Sequence, residues 1–484
     1  MKKKFFKVLS FVLAVIILFV SSYCILDFKY TDSIFKMKMF YEQEDNTVDV
    51  LVLGSSHAYQ GINTAVLWEE YGFPAYDLCG AAQPVWNSYY YLEEALKTQT
   101  PKVIILDTYT VHYSFDYSES SFAIKNTYGL KWSQTKKDAI KASFDEEQAG
   151  NQYFFEILQY HSRYSDLDKT DFYPYQANRA VYENHKGFYC YFYSNPVNEI
   201  DVSEIEYENY MTEKVETYYR KMIELAQSKN IPILITAIPF AAENYHQGFF
   251  NHAKAVAEEY HVPFYNFLTD YKTALGLDYN TDFSDNQHLN YLGNTKLTRF
   301  FGDLLKTQYH LTDRRGDEKY ASWEADAQVY YNQLENHYVA QIDSVENYAA
   351  VFQNGRYKII MTQTVEEGKE LSGGLRKKLS PFFSSIGVSE DEYKKGGMWV
   401  FENGEKVYYN ECSKSDFSHS VRLSSFDTAL VRKQNGYSSI LVNKTNCAQA
   451  EYGINIYVYD TFTQSSVDAV SIHFNDLAFS HNKV

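Results

Sequence analysis

Two short segments, far apart in the chain, carry residue types that together could perform nucleophilic catalysis. The first is Gly54-Ser55-Ser56-His57, and the second runs from Asp285 to Asn290 and contains His288. A serine hydroxyl is a poor nucleophile until a base removes its proton, and an imidazole base needs a carboxylate to hold its tautomer. Ser56, His288 and Asp285 are therefore the candidate nucleophile, base and orienting carboxylate.

Each segment on its own also has a plain structural explanation. A Gly-Ser-Ser sequence is typical of a turn, and Asp285 suits the N-cap of a helix with His288 on the surface. The presence of both segments, in this chain order around an α/β sheet, favours the catalytic interpretation. Asp282 is a competing carboxylate, for which we expect a capping role. No C-x-x-C motif or His/Cys cluster occurs, so we expect neither a metal nor a cofactor.

Short apolar runs that alternate with helical segments must position these residues. β-branched runs of this length are typical of buried strands in a parallel sheet, and the alternation predicts a doubly wound α/β fold with right-handed crossovers. Sites in such sheets collect at the carboxyl ends of the strands, and Ser56 follows the first run directly. The runs are Val48–Leu53, Ala75–Asp77, Lys102–Asp107, Ile231–Ile238 and Val262–Asn266.

The two segments resemble the sequence blocks of the SGNH/GDSL hydrolase superfamily, and the resemblance covers roughly residues 45–310. Gly54-Ser55-Ser56-His57 stands where that superfamily has its Gly-Asp-Ser-Leu block, and Asp285 with His288 matches its Asp-x-x-His block. The resemblance implies a three-layer, flavodoxin-like fold with Ser56 as the nucleophile. It also implies that Gly80 is the oxyanion glycine, so that the N–H groups of Ser56 and Gly80 form the oxyanion hole.

The third strand departs from the superfamily pattern. It ends Leu106-Asp107-Thr108-Tyr109, where the superfamily has a Gly-x-Asn-Asp block whose Asn donates to the oxyanion. Thr108 could assist in its place. Because loss of one oxyanion donor costs about 10²–10³ in turnover, weak hydrolysis or a preference for acyl transfer is the expected consequence.

Three further residues are candidates for substrate binding: His57, Gln83 and Lys186. For His57, the residue type favours a hydrogen-bonded structural histidine over contact with a substrate. Lys186 lies in an aromatic-rich segment, 112–207, that interrupts the strand and helix pattern and predicts an inserted helical lid. The aromatic rings of 153–193 could stack on sugars, or they could simply pack in the core and the lid.

The N-terminus predicts a membrane anchor within residues 1–30. Four lysines in residues 1–7 precede the uncharged apolar run Val8–Leu26, which at 1.5 Å per residue nearly crosses a bilayer. By the positive-inside rule the N-terminus stays cytoplasmic and the remainder is extracytoplasmic, which makes a single-pass cell-membrane protein that contacts lipid through residues 8–26. A cleaved signal peptide is the alternative.

Composition limits the remaining possibilities. A chain of 484 residues suggests two or three domains, and a 45% hydrophobic content excludes a disordered chain. The formal charge of −17, without a basic block beyond the N-terminus, argues against a nucleic-acid partner. The five cysteines are too scattered for a disulfide framework, although Cys412 and Cys447 could pair in an oxidising compartment.

The C-terminal part changes in character after a predicted linker helix within 311–344. Short strands with Gly and Asn turns predict a separate α+β domain over 345–484. Its segments Tyr357–Ile386 and Gly453–Asp460 resemble the interleukin-like EMT-inducer domain, as do Ser438–Asn443 and Val467–Val470. That resemblance implies glycan or surface-partner binding, and a stabilising cap without a ligand is the alternative.

Within the SGNH superfamily, Gly-Ser-Ser with a membrane anchor is similar to bacterial modifiers of surface polymers, such as the teichoic-acid D-alanylation esterase and alginate acetyltransferase relatives. The resemblance implies an esterase or O-acyltransferase acting on acyl esters of cell-surface polysaccharide or teichoic acid. Two alternatives stay open: a catalytically weak glycan-binding protein that keeps the fold, and a scaffold for envelope-assembly proteins.

Overall fold

The computed structural model describes two compact units of the chain, Met1–Gln328 and Val329–Val484. The division falls within the helix Ala321–Val339 and inside the predicted linker segment 311–344. The described residues are 2–27, 32–145, 161–167, 169–172, 185–364, 371–411, 416–425, 427–434, 437–475 and 477–482.

A five-stranded parallel sheet forms the centre of the first unit. Its strand order is β2-β1-β3-β4-β5, and every strand residue is buried, as expected for a sheet covered on both faces. Each strand lies within one of the five apolar runs identified from the sequence, so the predicted α/β architecture with a parallel sheet is confirmed. The strands are β1 (Val50–Leu53), β2 (Ala75–Asp77), β3 (Val103–Asp107), β4 (Ile233–Ala237) and β5 (Phe264–Asn266).

Helices connect these strands and cover the sheet. In Glu213–Ser228, for example, the buried residues recur at helical spacing from Val215 to Ala226, and Thr212 caps the first turn by accepting a hydrogen bond from the Val215 N–H. The α-helices of this unit among the described residues are α1 (Lys2–Leu26), α2 (Asp32–Phe40), α3 (Ser56–Gly61), α4 (Thr64–Tyr71), α5 (Val85–Ala95), α6 (Ser120–Lys125), α7 (Gln134–Ser143), α8 (Glu213–Ser228), α9 (Asn244–Glu259), α10 (Tyr291–Thr307) and α11 (Ala321–Val339), the last of which continues into the second unit.

Helix α1 is apolar and its side chains are exposed along most of its length. The part Lys4–Leu26 is long and apolar enough to cross a membrane, and none of its most apolar window is buried inside the protein. A membrane anchor and a signal sequence share these properties.

The second unit is built from antiparallel sheets packed with helices. A six-stranded sheet has the order β15-β14-β13-β6-β7-β8, and a four-stranded sheet has the order β12-β11-β10-β9. Its strands are β6 (Tyr357–Thr364), β7 (Gly397–Glu402), β8 (Glu405–Glu411), β9 (Phe417–Arg422), β10 (Thr428–Gln434), β11 (Tyr437–Val442), β12 (Thr445–Asn446), β13 (Gly453–Asp460), β14 (Ser465–His473) and β15 (Phe479–His481), and its shorter helices are α12 (Val345–Tyr348), α13 (Gly373–Ser385) and α14 (Glu390–Lys395).

The cysteine pairing considered from the sequence falls partly outside the described residues. Cys412 is one of the residues that the structure does not describe. Cys447 is buried and carries a free thiol.

Candidate active site

The candidate nucleophile stands on a tight turn between β1 and α3. Gly54 has φ of +149°, and a Cβ at this position would lie 2.9 Å from the Cβ atoms of both Ala58 and Asp107. Only glycine therefore lets the chain pass between the end of β3 and helix α3. Ser55 turns its side chain into the interior, while Ser56 opens α3 and is partly exposed. The turn presents the Ser56 hydroxyl at the carboxyl edge of the sheet.

The loop between β5 and α10 holds the candidate base. Phe283 and Leu289 form an antiparallel bridge across the loop, and the Ser284 N–H donates to the His288 carbonyl at 3.0 Å. At its end, Asn290 caps α10 by accepting hydrogen bonds from two backbone N–H groups, and its amide donates to the Thr281 carbonyl at 2.6 Å. These bonds tie the loop at both ends, so His288 projects from a well-supported turn.

Ser56, His288 and Asp285 form a continuous hydrogen-bonded relay. The Ser56 Oγ lies 2.9 Å from His288 Nε2, and both carboxylate oxygens of Asp285 lie 3.0 Å from His288 Nδ1. Since Nδ1 faces a carboxylate, it carries the ring proton, and Nε2 directs its lone pair to the serine hydroxyl. The arrangement can therefore withdraw the Ser56 proton.

The charge of Asp285 is stabilised within its own loop. Partial burial raises the pKa of this carboxyl, but the hydrogen bond from the His288 ring and those from the N–H groups of Gln287 (2.7 Å) and His288 (3.0 Å) outweigh burial and lower the pKa overall. The competing carboxylate, Asp282, is buried and accepts a 2.6 Å bond from the Lys296 ammonium, so it anchors the loop to α10.

The N–H groups of Ser56 and Gly80 are the two backbone donors that the resemblance predicts for the oxyanion. Neither the Ser56 nor the Gly80 N–H donates to an acceptor among the described residues. Gly80 follows β2, next to β1, and a Cβ there would overlap Asn126 and Ser33. The position thus accepts only glycine while its neighbours are in place.

Thr108, the predicted oxyanion donor, and Gln83, a predicted substrate-binding residue, have hydrogen-bond partners inside the protein. The Thr108 hydroxyl donates to the Thr236 carbonyl at 2.9 Å, so its hydrogen is already engaged in a bond within the protein. The Gln83 amide donates to Ser88 Oγ at 2.9 Å, and its side chain is fully buried beside Gly80.

Asn126 was not identified from the sequence, yet it supports the loop that follows β2. Its amide donates to the Ala81 carbonyl at 3.1 Å, and its Oδ1 accepts a bond from the Ser33 hydroxyl at 3.0 Å. Asn126 follows helix α6, in the segment predicted to be inserted, where one asparagine gives no sequence signal. It is a buried asparagine beside the candidate oxyanion glycine and comes from outside the sheet.

His57 is buried, with 2% of its surface exposed, and its ring packs among other rings. It stacks on Tyr109 at 3.5 Å between ring centres and meets Phe240 edge-on at 5.0 Å, while the His288 ring lies 5.3 Å away. Burial, followed by the nearby His288, His112 and His246 rings, lowers its pKa, so His57 is neutral at pH 7. Neither of its nitrogens hydrogen-bonds a described residue.

Lys186 does not extend into solvent as a substrate-binding lysine would. Its ammonium forms an ion pair with Asp326 at 3.0 Å and donates to Gln43 Oε1 at 2.9 Å and Ser322 Oγ at 2.8 Å. It also lies over the Trp323 ring at 4.1 Å. These contacts enclose the charge in the interior, where it links the inserted segment to α11.

Asp107 ends β3 directly beneath the nucleophile turn. Burial raises the pKa of this carboxyl to about 7, although hydrogen bonds from backbone N–H groups, including that of Tyr109 at 3.3 Å, oppose the rise. Asp107 is therefore an ionisable group in the neutral range, close to the candidate site but outside the relay.

Part of the inserted segment 112–207 lies outside the described residues, namely 146–160, 168 and 173–184, and so do many of the aromatic residues proposed to stack on sugars. Of those that the structure describes, Tyr193 is half-exposed and close to Asp285, whose charge, after burial and Tyr191, raises the tyrosine pKa. Among the described residues, no group of three or more His, Cys, Asp or Glu side chains is placed to hold a metal ion.

Comparison with known proteins gives little beyond this geometry. No protein-family model matches the chain, and no curated protein matches it. One similar solved structure is a Bacteroides fragilis protein assigned provisionally as an acylhydrolase; the match has 11% sequence identity, covers 56% of this chain and 94% of that one, and has a TM-score of 0.27. A similarity at this TM-score carries no information about the chemistry of the site.

Proposed function

We propose that this protein is an SGNH-type serine esterase or O-acyltransferase. The observation that carries the proposal is the relay from Ser56 through His288 to Asp285, with successive distances of 2.9 and 3.0 Å. Its position supports the same conclusion, because the relay lies at the carboxyl edge of a parallel sheet in the order 2-1-3-4-5, which is the flavodoxin-like order.

The reaction proceeds in two acyl-transfer steps. Ser56 Oγ attacks the carbonyl carbon of an ester while His288 Nε2 takes the hydroxyl proton. The bond between the carbonyl carbon and the alcohol oxygen then breaks, and His288 returns the proton to the leaving alcohol. In the second step water or another hydroxyl attacks the acyl-serine, gives its proton to His288, and releases Ser56, which recovers a proton from the same ring.

Backbone groups stabilise the negative charge that develops on the carbonyl oxygen. The N–H groups of Ser56 and Gly80 are the donors in this proposal, and the Thr108 hydroxyl, which faces Thr236, is not a third. An oxyanion site with two donors fits modest hydrolysis, or transfer to a bound hydroxyl acceptor.

The substrate in this proposal is an acyl ester of a cell-surface polymer, either a polysaccharide or a teichoic acid. The apolar part of helix α1 then anchors the chain in the cell membrane, with the lysines at its N-terminal end in the cytoplasm and the residues after about 30 outside. This placement would bring the candidate site to the layer in which such polymers lie.

Covalent labelling by a fluorophosphonate probe tests the proposal on the full chain in detergent. We expect the wild-type protein to be labelled and S56A and H288A to lose labelling. S55A is the matched control, because Ser55 is the neighbouring serine but its side chain is buried. Equal labelling of the wild type and S56A would contradict the proposal.

The engaged Thr108 hydroxyl also supports a second function, a glycan-binding protein with little turnover. In that case the probe leaves the wild type unlabelled, while the protein still binds polysaccharide. The same labelling experiment, combined with a polysaccharide pull-down, therefore separates the two functions.

A further inference from the structure

Beside the relay, four aromatic rings follow one another in a column that runs from the interior to the surface. His57 stacks on Tyr109 at 3.5 Å with planes 17° apart, and Tyr109 faces His246 at 6.3 Å and 22°. The His246 ring in turn lies 3.8 Å from the Tyr245 ring, with the two planes tilted by 32°. The Tyr245 side chain is 43% exposed, so the column begins next to the nucleophile turn and ends at a ring that solvent reaches.

The His112 ring lies edge-on against this column and forms a pair of adjacent imidazoles with His246. Its ring centre is 4.9 Å from those of both Tyr109 and His246 and 6.1 Å from that of Tyr245, with planes nearly perpendicular in each case. His112 and His246 are therefore adjacent, below the exposed Tyr245 ring.

The hydrogen bonds of the two imidazoles define complementary tautomers. His112 Nδ1 lies 2.5 Å from the Tyr109 carbonyl and must donate to it, which leaves Nε2 as an acceptor. His246 Nδ1 accepts from the Glu243 N–H at 3.1 Å, so its Nε2 carries the proton. Neither Nε2 atom bonds another described residue. The pair offers one acceptor and one donor, which is the pattern that matches a hydroxyl group.

The three imidazoles His57, His112 and His246 are uncharged at pH 7. Burial lowers the pKa of His246 to about 4, with His112 adding to the effect, and burial also lowers the pKa of His112 despite its bond to a carbonyl. The pKa of Tyr109 is raised to about 12 by burial, then by Tyr245 and by the carboxylates of Asp107 and Asp285. The acidic groups that act on these rings are Asp107 and Asp285 at Tyr109 and Glu243 at Tyr245.

We infer that Tyr245, His112 and His246 form a subsite for an uncharged sugar ring, and that the ester processed at Ser56 is carried by a neutral polysaccharide. The exposed face of Tyr245 suits the apolar C–H face of a sugar, and the two imidazoles suit one of its hydroxyl groups. A phosphodiester polymer would meet neutral rings and nearby carboxylates instead of the cations that bind phosphate well. The inference rests on the proposed function and narrows its substrate.

Binding and turnover of two probes test the inference on the full chain. One probe is an O-acetylated xylo-oligosaccharide, and the other is a D-alanyl ester of poly(glycerol phosphate). We expect the sugar ester to be bound and turned over in preference to the phosphate polymer. In Y245A, the ratio of kcat/KM for the sugar ester to that for p-nitrophenyl acetate should fall about tenfold, because the stacking face is lost.

Conservative variants separate binding from folding. Y245F keeps the ring and should recover most of the ratio. H246Q should lower the ratio while keeping the cap on α9, because Gln also serves at the third position of a capping box but lacks the ring Nε2–H. Y164A is the control, since Tyr164 is also an exposed tyrosine but lies in the 3₁₀-helix His161–Ser165.

Failure of the subsite differs from failure of the proposed function. An unchanged ratio in Y245A, or preference for the phosphate polymer, would overturn the subsite while labelling of Ser56 still upheld the esterase. If the wild type is neither labelled nor active, calorimetric titration with the xylo-oligosaccharide still tests the subsite. A tenfold higher Kd for Y245A would then support it, and equal Kd values would reject it.

Discussion

Replacement of Asp285 by asparagine tests whether the relay operates as a unit. In the wild type, both Asp285 oxygens lie 3.0 Å from His288 Nδ1, and the carboxylate also accepts two backbone N–H bonds from its own loop. An Asn oxygen can still accept the backbone bonds, so the loop should keep its conformation. The Asn amide group, however, removes the charge and allows the ring to place its proton on Nε2, where it faces Ser56 and blocks proton removal.

The expected loss follows from the exposure of the carboxylate. A fully buried triad aspartate is worth about 10⁴ in kcat in the best-studied serine protease. The Asp285 side chain is 45% exposed, so water screens its charge and shares its hydrogen bonds. We therefore expect D285N to lower kcat about 10²–10³-fold, which corresponds to roughly 3–4 kcal/mol of transition-state stabilisation.

The assay is hydrolysis of p-nitrophenyl acetate by the full chain, with thermal unfolding measured in parallel. D270N is the matched control: the Asp270 side chain is 46% exposed and pairs with Lys254 on the surface, so its loss should leave kcat unchanged. A D285N variant that folds normally and retains kcat within threefold of the wild type would refute the assignment of Asp285 to the relay.

Three further predictions follow from local structure. The carboxyl of Asp107 has a pKa of about 7 in the folded protein against an ordinary value of 3.8, so its contribution to stability is fully present below pH 4 and is lost as the pH rises through 7. In urea unfolding curves, D107N should remove this decline in the free energy of unfolding, which amounts to up to about 4 kcal/mol, and wild-type and D107N stabilities that change with pH in parallel would contradict the assignment. G54A should lower the free energy of unfolding by about 1–3 kcal/mol and abolish probe labelling, because the φ of +149° at Gly54 and its close neighbours exclude a Cβ. In the same unfolding assay G374A should not destabilise the protein, because Gly374 lies in a helix with open space around it. The full-length protein should resist carbonate extraction from membranes, whereas a chain without Lys2–Leu26 should be extracted. If mass spectrometry finds a mature protein without this helix, the segment is a cleaved signal peptide instead of an anchor.

The strands of the first unit could be predicted from the sequence more completely than those of the second. Its strands are short apolar runs buried on both faces, and such runs are visible without knowledge of their partners. In the second unit, β9 (Phe417–Arg422) contains Ser, His and Arg and alternates exposed residues with partly buried or buried ones, so it lacks the continuous apolar run that indicates a buried strand. Strand β14 contains Asp468, which is buried because it accepts a bond from the Tyr348 hydroxyl at 2.9 Å and contacts His481. These partners come from distant positions, and sequence patterns do not reveal them.

The candidate site divides in the same way. Ser56, Asp285 and His288 could be nominated from their residue types, their chain order and their positions after a strand and before a helix. His57 was also a candidate, but its ring partners and Asn126 could not be nominated, because they come from separate elements and have no spacing in common.

By itself, the sequence determined which segments form the parallel sheet and which residue types stand where its strands end, because local burial and glycine geometry leave a local pattern. The tertiary structure alone decided that Lys186 is enclosed by Asp326 and Trp323, and that the imidazoles of His57, His112 and His246 gather beside the relay. The physical reason is that burial, pairing and tautomer depend on which atoms surround a side chain, and those neighbours are distant in the chain.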